Sequence, residues 1–432
     1  MELKIVFSKI KTIDFFVGLV VISSIALRNY RFLLYAIQAI FLIISIRYLL
    51  KSSHKGYIIS KGLFLFMAIA SILWAKDTSA TIKVIPSIFQ IYVICCIFSG
   101  YLKDKIRIER FIHMMVIASV FLVINLIITT PINEWRTILL YSQSSYVDVA
   151  SSQGRLGKGI GMHPNALGAV IAICFVCTVY QFYKTKKKRY LLWNIVLVVL
   201  LLLSKSRSAL IEVLVGTIFI YILEQKNNIK KVKSLCYGGI IFILLSWAVL
   251  NVPFLYKVIG YRMEGFINLL DTNTSQMADA STTTRLDFIF IGIELFLKNP
   301  IVGVGMNNFS VIAYNQYNIW AEVYSHCNYV EILACLGIIG FVLYYIVFIN
   351  SIIKLIRLRK KCKIYDEGIY RLVSFIIAIA GMFLIMEFTH ITYDNECIQY
   401  MQLLIICAST NLKKEFFKSD TEKKGEILDL SI

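Results

Sequence analysis

Charge is scarce in this chain of 432 residues: 16% of its side chains are charged, where a soluble domain carries about 25%. Hydrophobic residues make up 58%, and the mean hydropathy is +0.72. That balance excludes a disordered chain, a collagen-like chain and an ordinary soluble enzyme, and it leaves an integral membrane protein. The sequence has no Asp-x-Asp pair and no Walker loop, so it gives no support to chemistry on a nucleotide-sugar with a bound metal. No metal site and no cofactor are read. Cys174-x-x-Cys177 has zinc-like spacing but no second pair and no histidine nearby. Small apolar residues packing between helices account for it, and the ten cysteines imply no disulfide framework. Lys and Arg number 45 against 26 acidic residues, a net charge of +19. In a soluble protein this would suggest nucleic acid. No aromatic-interleaved basic patch occurs, however, and the basic clusters sit beside apolar runs.

A helix needs about 17–25 apolar residues to cross a bilayer. Twelve runs of this kind lie near 12–28, 32–50, 58–74, 81–101, 108–130, 164–183, 190–204, 208–224, 234–250, 328–350, 371–389 and 396–411. The first follows Lys4, Lys9 and Lys11 and reads as an uncleaved signal-anchor. With the N-terminus in the cytoplasm, the segments 1–11, 47–61, 103–110, 184–189, 226–233, 354–371 and 413–424 carry 32 of the 45 Lys and Arg. No loop is reversed, so the positive charge is mostly topology. The expected fold is all-α, a polytopic integral membrane protein with about 12 transmembrane helices. Residues 1–412 form the membrane domain, with a large outer loop 251–327 before the tenth span. Residues 413–432 form a polar cytoplasmic tail. Both termini are cytoplasmic.

Chemistry is expected on the outer side, because the two long segments, about 131–163 and 251–327, fall there and long structureless loops are uncommon unless functional. Thr284-Arg285-Leu286-Asp287 fits a capping box. Leu286, Ile289, Phe290, Ile293 and Phe296 or Leu297 then recur at helical spacing until Asn299-Pro300. That predicts an amphipathic helix lying along the interface, apolar face down. The glycine-rich turn Gly303-Val304-Gly305 follows. It lacks the third glycine and the preceding strand of a dinucleotide fingerprint.

Ionisable groups beside spans are costly and default to a functional hypothesis. Arg207 sits in a short outer turn, Ser204 to Ser208, where it is either functional or a snorkelling loop arginine. Arg285, and more weakly Arg262, read alone as solvated surface charges. Of five histidines, His163, His326 and His390 map to outer ends of spans, where an imidazole is a structural hydrogen-bonding group or a general base. Asp77, after Trp74, is a loop cap or a second base. Arginines bind phosphate oxygens bidentately without a metal. Together with a histidine base they permit group transfer from a lipid diphosphate to an alcohol.

The segment from Arg285 through Pro300-x-x-Gly303-x-Gly305-x-x-x-Phe309 to His326-x-x-Tyr329-Val330-x-x-Leu333-x-x-x-Gly337-x-x-Gly340 resembles the O-antigen ligase / Wzy-type polymerase family. Gly161-Met162-His163-Pro164-Asn165, Ser206-Arg207-Ser208-Ala209-Leu210 and Ser71-Ile72-Leu73-Trp74-Ala75-Lys76-Asp77 resemble it too. The resemblance implies a GT-C-like membrane glycosyltransferase in the bacterial inner membrane, with its active site on the outer face. Its partners would be a polyprenyl-diphosphate-linked glycan donor, a glycan acceptor, the bilayer, and other polysaccharide-assembly proteins, but no nucleic acid. It makes His326 the base and Arg207 and Arg285 the diphosphate ligands, with Asp77, His163 and Arg262 as further substrate-binding candidates. Cys327 stands where members of that family often have asparagine; here the asparagine is Asn328. The lead reading is a polymerase of undecaprenyl-diphosphate-linked repeats for capsule or lipopolysaccharide O-antigen, metal-independent and inverting. The alternatives are a ligase acting on lipid A-core and a lipid-linked oligosaccharide flippase.

Overall fold

Twelve helices take up the twelve apolar runs, because an α-helix alone satisfies its own backbone in lipid. The computed structural model describes residues 12–49, 54–140, 154–225, 227–256, 260, 264, 280–317, 319 and 321–429. The twelve helices are α1 (Thr12–Ala26), α2 (Arg31–Leu49), α3 (Lys55–Ala70), α4 (Thr78–Tyr101), α5 (Lys105–Thr129), α7 (Pro164–Thr185), α8 (Lys188–Ser204), α9 (Arg207–Glu224), α10 (Asn228–Asn251), α13 (Asn328–Tyr365), α14 (Glu367–Met386) and α15 (Glu396–Asp429). Three further helices lie between them: α6 (Ile132–Leu140), α11 (Ala280–Lys298) and α12 (Phe309–Tyr317). No strand occurs among the described residues.

By length and composition six of these helices can cross a membrane: α3 with its 3-10 extension to Leu73, α4, α5, α7, α13 and α14. These six crossings are counted among the described residues. Apolar side chains face outward along the bundle, with Phe32 94% and Ile43 77% exposed. A soluble surface does not carry such a belt, and lipid accounts for it.

Chain punctuation sets the helix ends. Asp77, Asp104, Asn227 and Asp366 cap α4, α5, α10 and α14 by accepting from backbone N–H groups of the first turn. The buried inner part of α15, from Cys397 to Leu412, forms the axis of the bundle, with α1, α4, α5, α13 and α14 packed around it. Cys174 and Cys177 are fully buried packing residues of α7. Beyond the bundle α15 continues as helix to Asp429, and Phe416 (4% exposed) packs against the ring of Tyr365. A second, smaller core brings Phe288, Ile291 and Leu295 of α11 against Ile332, Cys335 and Leu336 of α13. The expected stripe of Leu286, Phe290, Ile293 and Leu297 points away from the protein. α11 therefore has two apolar faces. It also begins at Ala280, a turn before the capping-box threonine. A hydroxyl and a carboxylate three apart are neighbours inside a helix as well as at its start.

The two glycine motifs meet here. α13 is broken at Gly337 (φ 60°, ψ −163°), about 14 Å along the axis from its start at the usual rise. The break frees carbonyls on one side and N–H groups on the other. The turn after α11 bonds to both: Val304 and Gly305 donate to Ala334 and Cys335 carbonyls (3.0 and 2.9 Å), while Ile338 and Ile339 donate to Pro300 and Ile301 (2.8 and 3.4 Å). Gly303 (φ 69°) and Gly337 permit the contact. A Cβ on the first would land on the Cys335 backbone, and on the second on the Ile301 carbonyl. Gly303→Ala or Gly337→Ala should therefore lose most folded, monodisperse protein in detergent. Gly239→Ala, whose Cβ meets nothing, should hold or gain stability by about 0.5–1 kcal/mol. Thermal melts with size-exclusion profiles would decide; normal melting of Gly303→Ala would remove the stitched break as a stability determinant.

Candidate active site

His326 ends the loop that leads into α13, and its own backbone is left-handed (φ 59°). For a non-glycine residue this costs roughly 1–3 kcal/mol and persists only where neighbours hold it. Two clamps do so. Ser325 donates its N–H to the buried Glu331 carboxylate (2.9 Å), and the Ser325 hydroxyl donates to the Cys327 carbonyl (2.9 Å). On the other flank Asn328 donates its N–H to the Glu387 carbonyl (2.7 Å) and its amide to the Glu387 carboxylate (2.6 Å). Tyr345 donates to the same carboxylate oxygen (2.5 Å), and Thr392 donates its N–H to the Asn328 amide oxygen (3.0 Å). Asn328 thus fastens the loop from one position beyond the place where the resemblance puts an asparagine. Cys327 is buried.

The imidazole lies among rings and cations. Its ring centre is 4.5 Å from that of Tyr324, and Phe288 stacks at 6.1 Å. Arg285 precedes Phe288 by three positions, so α11 presents both on one face. Burial is the largest cause that lowers the His326 pKa well below its usual 6.5. The charges of Arg285, His163, His390 and Arg155 lower it further. His326 is therefore neutral at pH 7, the form that accepts a proton. Tyr324 moves the other way. Burial and then Asp394 push its phenol up to about 12, against Arg285, so it stays a hydrogen-bond donor.

Of the residues singled out in the sequence, His326, Arg285 and His163 come together. His163 also caps α7, accepting from the Asn165 N–H (3.2 Å), the structural role open to it. Arg207 opens α9 between Ser206 and Ser208. The Ser208 hydroxyl lies 3.3 Å from His390 Nε2, which itself sits 2.8 Å from buried Glu212. Through His390, whose charge acts on His326, the first turn of α9 adjoins the same cluster. Asp77 caps α4 through Ser79 and Ala80 N–H groups (2.8 and 3.2 Å) and is not among the charges acting most on His326. Arg262 lies outside the described residues.

Arg155 was not singled out. It is 2% exposed and donates to the Ser204 carbonyl (3.0 Å), the Asn165 side chain (2.6 Å) and the Lys205 carbonyl (3.5 Å). It joins the first outer segment to the turn that carries Arg207. Its one signal in the sequence is the setting Gly154-Arg155-Leu156-Gly157. Together these groups set a neutral imidazole near the guanidinium groups of Arg285 and Arg155. Such an arrangement is chemically able to hold an anion and to accept a proton from a hydroxyl.

Residues 192–345, just over a third of the chain, match the family model described as O-antigen ligase. The match runs from within α8 to just past the break in α13 and contains Arg207, Arg285, His326 and both glycine motifs. It supports the O-antigen ligase/Wzy family. No curated protein matches the chain.

The cluster predicts its own titration. A depressed imidazole is neutral through pH 6.5 and charges only below it. The unfolded chain takes up that proton first, so stability falls as pH drops below 6.5. In side-chain NMR of specifically labelled histidine, the His326 midpoint should lie below 6.5, and Arg285→Gln should move it upward. A midpoint at or above 6.5 would contradict the cationic surroundings described.

Proposed function

We propose that the protein is a membrane glycosyltransferase that polymerises undecaprenyl-diphosphate-linked oligosaccharide repeats into a surface polysaccharide at the outer face of the bacterial inner membrane. The observation that carries this reading is the neutral, strained His326 set among Arg285, Arg155 and the α9 turn of Arg207. Helices whose outward side chains suit lipid surround it. The basic bias of alternate segments puts His326, Arg207 and His163 on the outer side, with both termini inside. A GT-C-like architecture and twelve crossings belong to the same reading.

In this mechanism the donor's diphosphate lies against Arg207 and Arg285, with Arg155 bracing the turn. Nε2 or Nδ1 of His326 accepts the proton of an acceptor hydroxyl, and the freed oxygen attacks the anomeric carbon of the donor chain. The bond from that carbon to the diphosphate oxygen breaks, and the lipid diphosphate leaves with the bonding pair. One displacement inverts the anomeric centre. Diphosphate binding also offsets the positive charges that depress His326, so the base strengthens when the donor is present.

A second reading, transfer of the finished polymer onto lipid A-core, is favoured by the description of the matching family model. Purified protein given a lipid-diphosphate-linked repeat should form longer glycans. His326→Ala should lose at least 10²-fold, the scale of a general base. Arg207→Lys should lose more than its retained charge predicts, since lysine lacks the fork. Full activity in His326→Ala removes the base. Product on lipid A-core alone selects the ligase, and vesicle transport without bond formation selects a flippase.

A further inference from the structure

Tyr324 has two neighbours of opposite character. One side of its ring meets His326. The residue also lines a polar cleft of about 470 Å3 between the start of α4 and the start of α12. That volume suits a ligand of a few rings. α4 contributes Lys83 and Ser87, one turn apart, and Gln90 continues the same line. There it donates to Glu396 (3.2 Å) and to Gln38. A polar stripe on a helix apolar enough to cross a membrane is expensive and marks a functional wall. α12 adds Ser310 to the opposite side.

The charge of this cleft is the reverse of that around His326. Among the described residues, Asp77, Glu322 and Asp394 line it with one cation, Lys83. A diphosphate is repelled here and attracted to the arginines. Hydroxyls and carboxylates that accept from neutral sugar hydroxyls fit an uncharged glycan, while a uronic acid would meet like charge. The Asp77 carboxylate, already turned to the α4 N-terminus, fixes that rim.

We infer that this cleft is the acceptor subsite: it seats the uncharged terminal sugars of the incoming glycan, passes the nucleophilic hydroxyl over Tyr324 to His326, and turns away acceptors with acidic ends. The inference rests on the glycosyl-transfer reading and adds the acceptor's place and its chemical class.

The test uses the full chain in nanodiscs, a lipid-diphosphate-linked neutral repeat as donor, and two acceptors of equal length, one ending in a neutral hexose and one in a uronic acid. Ser87→Phe and Ser310→Phe fill the cleft from opposite walls. Each should raise the acceptor KM at least about tenfold while the donor KM stays within about twofold. Glu322→Gln, an exposed change that leaves folding alone, should narrow the preference for the neutral acceptor. Unchanged acceptor KM in both filled variants, or equal use of the two acceptors by the wild type, overturns the subsite and leaves the glycosyl-transfer reading standing. A wild-type protein that forms no glycosidic bond with either acceptor overturns both.

Discussion

Four backbone hydrogen bonds between the turn after α11 and the break in α13 hold the rest of the site in place. They let a membrane helix stop and restart without leaving naked peptide groups. They also lock α11 onto the first half of α13. Arg285 rides on one of these pieces, and His326 starts the other. Their relative placement is therefore a property of the stitch and not of either element alone.

The site combines two devices that pull in the same direction. Strain aims His326 through a left-handed backbone, and buried acids keep that backbone in place: Glu331 holds Ser325, and Glu387 holds Asn328. Cations and burial then keep the ring unprotonated. A carboxylate beside the imidazole, as in many base-orienter pairs, would raise its basicity and charge it at rest. Here the acids act at Ser325 and Asn328, one position before the imidazole and two after it, and leave the ring to the arginines.

Much of this was legible in the chain. Runs of apolar residues foretold the helices, because length and hydropathy are local properties. His326 and His163 stand out as ionisable groups at the ends of apolar runs, whereas Arg285, a solvated surface charge when read alone, is marked only by the family resemblance. Asp77 was readable as a cap from its place before α4. Arg155 was not legible: its importance comes from bonds to Ser204 and Lys205, about fifty positions away, and no local pattern encodes them. Glu387 and Glu331 were missed for the same reason, since a carboxylate's partner in a bundle is set by helix packing. The start of α11 at Ala280 is not readable from Thr284 to Asp287, because a capping pattern also fits a helix interior. The glycines were seen as a turn and as a helix motif. That they face each other is visible only when the two segments are brought together.

The break in α13 also constrains how the chain is built. Until the turn at residues 300–305 is in place, α13 exposes two carbonyls and two N–H groups well inside the apolar layer, each costing several kcal/mol in hydrocarbon. The second half of α13 cannot settle into lipid as an independent helix and then wait for a partner. The turn precedes it by about thirty residues, so the missing piece is already made when the break emerges. Order along the chain is matched to order of assembly.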